Sequence, residues 1–140
     1  MRQILLFAAL AASLALLSGC ALSKTKKDTA EDMTGKAAYQ KISAEEAYEM
    51  MASQEVVVVD VRTREEYDGG HIENAVLVPN ESIGSDMPEA LPDKEATLLV
   101  YCRSGRRSKD AAQKLLALGY QSVYDFGGVI DWPYELVKEG

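Results

Sequence analysis

One stretch decides how the fold of this chain is interpreted: Thr97-Leu98-Leu99-Val100-Tyr101-Cys102-Arg103-Ser104-Gly105-Arg106-Arg107-Ser108. Its first five residues are mostly apolar and predict a buried strand, and the residues after Gly105 begin a segment with helical spacing of apolar side chains. Cys102 therefore stands where a strand passes into a helix. Main-chain N–H groups in such a loop, and the positive end of the helix dipole, favour an anion. We predict a thiol at the mouth of the loop, open to solvent, with a pKa below its usual value of about 8.5.

Short apolar runs elsewhere in the chain predict further strands. Residues 56–61 are β-branched and apolar apart from Asp60, which is typical of a strand buried on both faces and hence of a parallel sheet. Residues 75–78 and 122–126 predict two more strands. Asp60 and Cys102 both fall at the carboxyl ends of strands, where ligands bind in such sheets, so we expect them to share one rim.

Two segments predict helices. Residues 105–118 carry apolar side chains on one helical face, and Gly119 provides a C-terminal stop. Ser43 and Glu46 have the spacing of a capping box, which predicts a short helix after residue 43. Alternating strands and helices predict a small, mainly parallel α/β sheet flanked by helices on both faces.

The composition restricts the possible functions. A chain of 140 residues fits one domain with appendages. Its net charge of −7 argues against nucleic acid as a partner, because an acidic surface repels phosphate. Two cysteines and one histidine cannot supply the ligands of a usual zinc site, so we expect neither a metal nor another cofactor.

The amino-terminal segment has the pattern of an export signal. Arg2 precedes a nearly unbroken apolar run over residues 4–17, which is too short to span a bilayer and suits the core of a signal peptide. The run ends in Leu17-Ser18-Gly19-Cys20, which resembles the lipobox of bacterial lipoproteins and implies lipidation of Cys20. An uncleaved anchor or a freely secreted protein are the alternatives.

The sequence therefore divides into a signal peptide (1–19), a polar flexible linker beginning at the lipidated Cys20 (20–40) and one folded domain (41–140). Acyl chains at Cys20 would tether this domain to the extracytoplasmic face of a membrane.

Five motifs within the domain resemble those of single-domain rhodaneses and occur in the order of that family. They are Asp60-Val61-Arg62, Glu66-Tyr67, Gly70-His71-Ile72, Cys102-Arg103-Ser104-Gly105-Arg106-Arg107 and Gly127-Gly128-Val129-Ile130-Asp131-Trp132. The resemblance implies a rhodanese-like fold and a sulfurtransferase. Cys102 would take sulfane sulfur from thiosulfate or a persulfide, carry it as a persulfide held by the loop amides, and pass it to a thiophilic acceptor such as a thiol.

The resemblance also implies roles for other residues. The loop residues that would bind the substrate are Arg103, Ser104, Gly105, Arg106 and Arg107. The supporting residues are Asp60, Arg62, Glu66 and His71. Asp60 would pair with an arginine or accept bonds near the loop, Arg62 and Glu66 would form a structural ion pair, and His71 would belong to a structural turn.

Two other functions remain open. The same loop would suit a persulfide carrier that docks to a protein partner and turns over slowly by itself. A cysteine-dependent phosphatase is disfavoured by loop length, because related phosphatases have the spacing Cys-x5-Arg. Here Arg107 gives Cys-x4-Arg, and Ser108 stands at the longer spacing.

Overall fold

The computed structural model describes residues 37–138 of the 140. The predicted signal peptide, Cys20 and most of the predicted linker lie outside this range. Within residues 37–138, no helix has the length and apolar character required to cross a bilayer.

One parallel sheet forms the centre of the domain. Its strands are β1 (Gln40–Lys41), β2 (Val57–Asp60), β3 (Val76–Leu77), β4 (Thr97–Cys102) and β5 (Ser122–Gly128). The strand order is β1-β5-β4-β2-β3, and every neighbouring pair is parallel. Strands β2 and β4 are the buried runs that the sequence predicts, and the α/β fold is confirmed.

In the described part of the chain, residues 37–138, three α-helices accompany the sheet: α1 (Ala44–Ser53), α2 (Arg64–Asp68) and α3 (Arg106–Ala117). Helix α1 begins with the predicted capping box, in which Ser43 and Glu46 exchange hydrogen bonds with each other's main-chain N–H. Helix α3 follows Gly105, whose φ of +99° lies in the left-handed region that favours glycine.

The helices cover both faces of the sheet, as predicted. Alternate residues of a strand point to opposite faces. Thus Leu98 and Val100 pack with Ala111 and Leu115 of α3, while Leu99 belongs to the second cluster. That second cluster also contains Ala44 and Ala47 of α1, Tyr67 of α2, and Tyr101. Cys102 belongs to the α3 face.

The structure adds one strand and one α-helix that the sequence does not predict. Strand β1 pairs Gln40 with Tyr124, and the hydroxyl of Tyr39 donates to Asp125 at 2.6 Å. Tyr39 and Gln40 therefore pack with the domain, although the sequence analysis assigns them to the linker. Helix α2, with only five residues, is too short to show a periodicity.

Candidate active site

Cys102 is the last residue of β4 and lies on the floor of the loop that leads into α3. The main-chain N–H of Gly105 donates to its Sγ at 3.0 Å. A register shift between Val100 and Cys102 brings Cys102 opposite Gly128 of β5. The predicted junction of strand, tight loop and helix is present, and its amides face the sulfur.

The ionisation of Cys102 reflects two opposing effects. Burial disfavours the thiolate, whereas the main-chain N–H groups of Ser108, Gly105 and Ser104 and the hydroxyl of Ser108 favour it, and the net effect lowers the pKa of the thiol. The direction agrees with the sequence prediction. The donors that favour the thiolate are main-chain amides, as the sequence predicts for such a loop, together with one hydroxyl.

The expectation of a solvent-open thiol is wrong. Cys102 exposes only 1% of its surface. The loop has only four residues between Cys102 and Arg107, and it wraps so closely that the sulfur lies beneath it. A reacting molecule must therefore approach through the loop and must be narrow at its reactive atom.

The three arginines of the loop differ in their surroundings. Arg103 and Arg106 are exposed, and within residues 37–138 neither forms an ion pair. Arg107 is mostly buried and binds both carboxylate oxygens of Glu66, each at 2.8 Å. These bonds lower the pKa of Glu66 to about 2. Arg107 thus joins the active-site loop to α2, and of the three loop arginines Arg103 and Arg106 are the two that can attract an anion.

The predicted ion pair between Arg62 and Glu66 is wrong. Arg62 instead binds its near neighbour Asp60, with Nε and Nη2 at 2.6 to 3.0 Å from the carboxylate oxygens, and Nη2 also donates to the carbonyl of Gly70. Tyr101 donates its hydroxyl to Asp60 at 2.7 Å. The expectation that Asp60 pairs with an arginine is therefore confirmed.

His71 lies in a buried turn. Its ring stacks on Tyr67 with 3.6 Å between ring centroids, and Nδ1 lies 2.9 Å from the carbonyl oxygen of Tyr67. Its main-chain groups exchange hydrogen bonds with those of Val137. These contacts connect the turn to the carboxyl-terminal segment, which agrees with the structural turn that the resemblance implies.

Three contributors to the site were not assigned roles from the sequence. Ser108 is fully buried, and its Oγ lies 2.7 Å from Oδ1 of Asp125, itself 1% exposed. Gly128 lies against the loop, and a Cβ at that position would collide with the carbonyl of Arg103. The paired glycines were a visible signal, because close backbone approach requires glycine. An aspartate two residues before them gives no comparable signal.

Comparison with known proteins agrees with this geometry. The family model of the rhodanese-like domain matches residues 43–133. A "rhodanese with anions from E. coli" is 34% identical, with a TM-score of 0.55 over 61% of this chain and 100% of that one. A human single-domain sulfurtransferase is 28% identical, with a TM-score of 0.59 over 66% of this chain and 93% of that one.

A relative of different name also matches. The tRNA uridine(34) hydroxylase of Hamiltonella defensa subsp. Acyrthosiphon pisum is 35% identical over 112 residues. The match covers 75% of this chain but only 32% of the length of that relative. The family model, the parallel sheet and the cysteine loop lead to one conclusion: the chain belongs to the rhodanese-like domain family.

Proposed function

We propose that this protein is a sulfurtransferase that moves sulfane sulfur from an anionic donor to a thiophilic acceptor through a persulfide on Cys102. The observation that carries the proposal is the loop itself, whose Gly105 N–H lies 3.0 Å from Sγ and whose amides lower the pKa of the thiol. Such a site stabilises a negatively charged sulfur at the position where one forms in the reaction.

Two displacements complete the cycle. The Cys102 thiolate attacks the sulfane sulfur of the donor, so an S–S bond forms at Sγ while the donor's own bond to that sulfur breaks. With thiosulfate, sulfite leaves with the electron pair. An acceptor thiolate or cyanide then attacks the outer sulfur and leaves as a persulfide or thiocyanate, which restores the Cys102 thiolate. Neither step requires a base to remove a proton.

The environment of the thiol favours small donors and acceptors. Cys102 is 1% exposed, so only a slender group such as a terminal sulfur can reach Sγ. Arg103 and Arg106 are exposed beside the loop in a protein whose net charge is −7. Local cations in an acidic surface attract a small anion to this point.

Intact-mass measurement tests the proposal. The protein is incubated with thiosulfate or with a small persulfide donor, and the expected adduct is one sulfur, about 32 Da, which cyanide removes. Cys102→Ser is the matched control and should gain nothing, while Cys20→Ser should load like the parent. Absence of an adduct with every donor, or an equal adduct on Cys102→Ser, would refute the proposal.

A persulfide carrier is the second candidate function, because the loop that encloses the thiol would also protect a stored persulfide from solvent. The two functions differ in turnover. A sulfurtransferase produces thiocyanate or a small persulfide over many cycles, whereas a carrier loads once and releases its sulfur only to a protein partner. Steady-state product formation with small thiols distinguishes them.

Phosphoryl transfer and tRNA hydroxylation are less well supported. Only four residues separate Cys102 from Arg107, and a loop of this size leaves little room for a tetrahedral phosphate. Hydrolysis of a phosphate ester without sulfur loading would favour the phosphatase. The tRNA hydroxylase match covers a third of that relative's length, and the acidic charge of this chain disfavours RNA. We therefore do not extend that activity to this protein.

The amino-terminal pattern supports a proposal about location. We propose that Cys20 carries lipid and tethers the domain to a membrane on its extracytoplasmic face. The full chain should then partition into detergent and sediment with membranes, and Cys20→Ser should be released. Equal partitioning of both proteins would contradict the tether without affecting the proposed chemistry.

A further inference from the structure

A buried carboxylate lies behind the active-site loop and has no role in the chemistry described above. Asp125 of β5 is 1% exposed. Its Oδ1 accepts hydrogen bonds from the Ser108 hydroxyl at 2.7 Å and from the Gly127 N–H at 2.9 Å. The Ser108 hydroxyl also interacts with Cys102. Ser108 therefore stands between the nucleophile and a buried anion.

The Ser108 hydroxyl has one proton and several acceptors around it. Besides Asp125, its Oγ lies 3.1 Å from the carbonyl oxygen of Gly105 and 3.2 Å from that of Gly127. A carboxylate is a stronger acceptor than a carbonyl, and its contact with Oγ is the shortest. Asp125 therefore competes with the Cys102 thiolate for this proton. While the hydroxyl donates to Asp125, its hydrogen bond to the thiolate is weakened.

The charge of Asp125 is compensated on the side away from Cys102. Its Oδ2 accepts a hydrogen bond from Tyr39 at 2.6 Å, and Nζ of Lys41 lies 3.4 Å away. Lys41 is half-exposed, and its Nζ also lies close to Gly127. These two groups of the β1 segment weaken the hold of Asp125 on the Ser108 proton.

Other charged groups near Cys102 come from α3, α2 and the loop. Arg107 of α3 interacts with the thiolate and is paired with Glu66 of α2. Arg103 and Arg106 of the loop are exposed. These are cations or paired groups, whereas Asp125 is the anion that contacts a direct neighbour of the sulfur.

We propose that Asp125 is a positioning residue that directs the Ser108 hydroxyl and thereby sets how readily Cys102 gives up its proton. The negative charge of Asp125 acts against the loop amides, so the thiolate is less favoured than the loop alone would make it. The inference takes Cys102 as the nucleophile of the proposed function. Its test measures the ionisation of the thiol and does not depend on sulfur transfer.

The experiment follows the rate at which iodoacetamide alkylates Cys102 across pH in the full chain, with the Cys102 peptide quantified by mass spectrometry so that Cys20 does not interfere. Asp125→Asn keeps the shape of the side chain and removes its charge. We expect the midpoint of its rate profile to move down by at least about half a pH unit, equivalent to about a threefold larger thiolate fraction at low pH. Asp110→Asn, an exposed aspartate on α3, is the matched control and should shift the midpoint far less.

Two further variants test how Asp125 acts. In a Ser108→Ala background the effect of Asp125→Asn should fall to less than half, because the hydroxyl that connects the two groups is gone. Lys41→Met should move the midpoint upward, because it strengthens the hold of Asp125 on the Ser108 proton. This half-exposed substitution tests the proposal even if Asp125→Asn fails to fold. The proposal is overturned if Asp125→Asn leaves the midpoint unchanged or raises it, if its effect persists without the Ser108 hydroxyl, or if Lys41→Met does not raise the midpoint.

Discussion

Two neighbouring strands of the sheet end side by side and use their polar groups in opposite ways. At the end of β2, Asp60 is satisfied by the side chains of Arg62 and Tyr101. At the end of β4, Cys102 receives main-chain N–H groups and a hydroxyl. At the end of β2 the charge of Asp60 is balanced by Arg62, whereas at the end of β4 several hydrogen-bond donors surround the single sulfur of Cys102. The same edge of the sheet thus holds one structural cluster and one reactive centre.

The largest effect on stability is expected from Arg62→Met. The substitution leaves the fully buried Asp60 without its cation, which costs about 3 to 5 kcal/mol of unfolding free energy. Urea denaturation measures this loss. The matched control is Arg64→Met, whose exposed ion pair with Asp68 contributes little. If the two regions are separate, the alkylation profile of Cys102 in folded Arg62→Met should match that of the parent.

Gly128→Ala should impair sulfur loading more than stability, which is the reverse of the pattern expected for Arg62→Met. Its backbone is extended, so the conformation tolerates alanine, but the added Cβ collides with the carbonyl of Arg103 and must displace the loop. We expect sulfur loading to fall at least about tenfold, with a stability loss of about 1 to 3 kcal/mol from overpacking. Gly84→Ala is the control, because no heavy atom beyond the adjacent residues lies within 4 Å of its new Cβ. Normal loading by Gly128→Ala would show that the loop need not keep this geometry.

Glu66→Gln should have a smaller effect that depends on pH. The substitution removes the charge that holds Arg107, at a cost of about 1 to 2 kcal/mol near neutral pH. The pKa of Glu66 falls from its ordinary value to about 2 in the folded protein. The stabilisation is therefore complete above the ordinary value and is lost as the pH falls through about 2. Denaturation between pH 6 and 2 should show the difference between parent and variant shrinking toward acid, and a constant difference would exclude the ion pair as its source.

The sequence predicted the parts of the fold that have strong local patterns. Nearby residues alone determine three of these elements. They are β2 with its apolar run ending at Asp60, β4 with the stretch around Cys102, and α1 with its capping box at Ser43. Strand β1 and helix α2 have two and five residues, so neither repeats a pattern often enough to be recognised.

The partners of the charged residues were harder to predict, for a physical reason. Arg62 and Glu66 are four residues apart, a spacing that suggests an ion pair. Arg62 instead binds Asp60, which lies two residues before it in the chain. Glu66 instead finds Arg107, 41 residues away in the chain. Sequence spacing predicts contacts within an element, whereas the pair of Glu66 and Arg107 depends on how α2 packs against the start of α3. The contact between Ser108 and Asp125, 17 residues apart, was missed for the same reason.

The burial of Cys102 has a consequence for the behaviour of the protein in air. A disulfide between two molecules requires their Cβ atoms to come within about 3.8 Å of each other. A cysteine that exposes 1% of its surface cannot come that close to its equivalent in a second molecule, because the two loops would meet first. Oxidative dimerisation through this thiol is therefore blocked by shape, and small oxidants that fit the loop are the ones that threaten it.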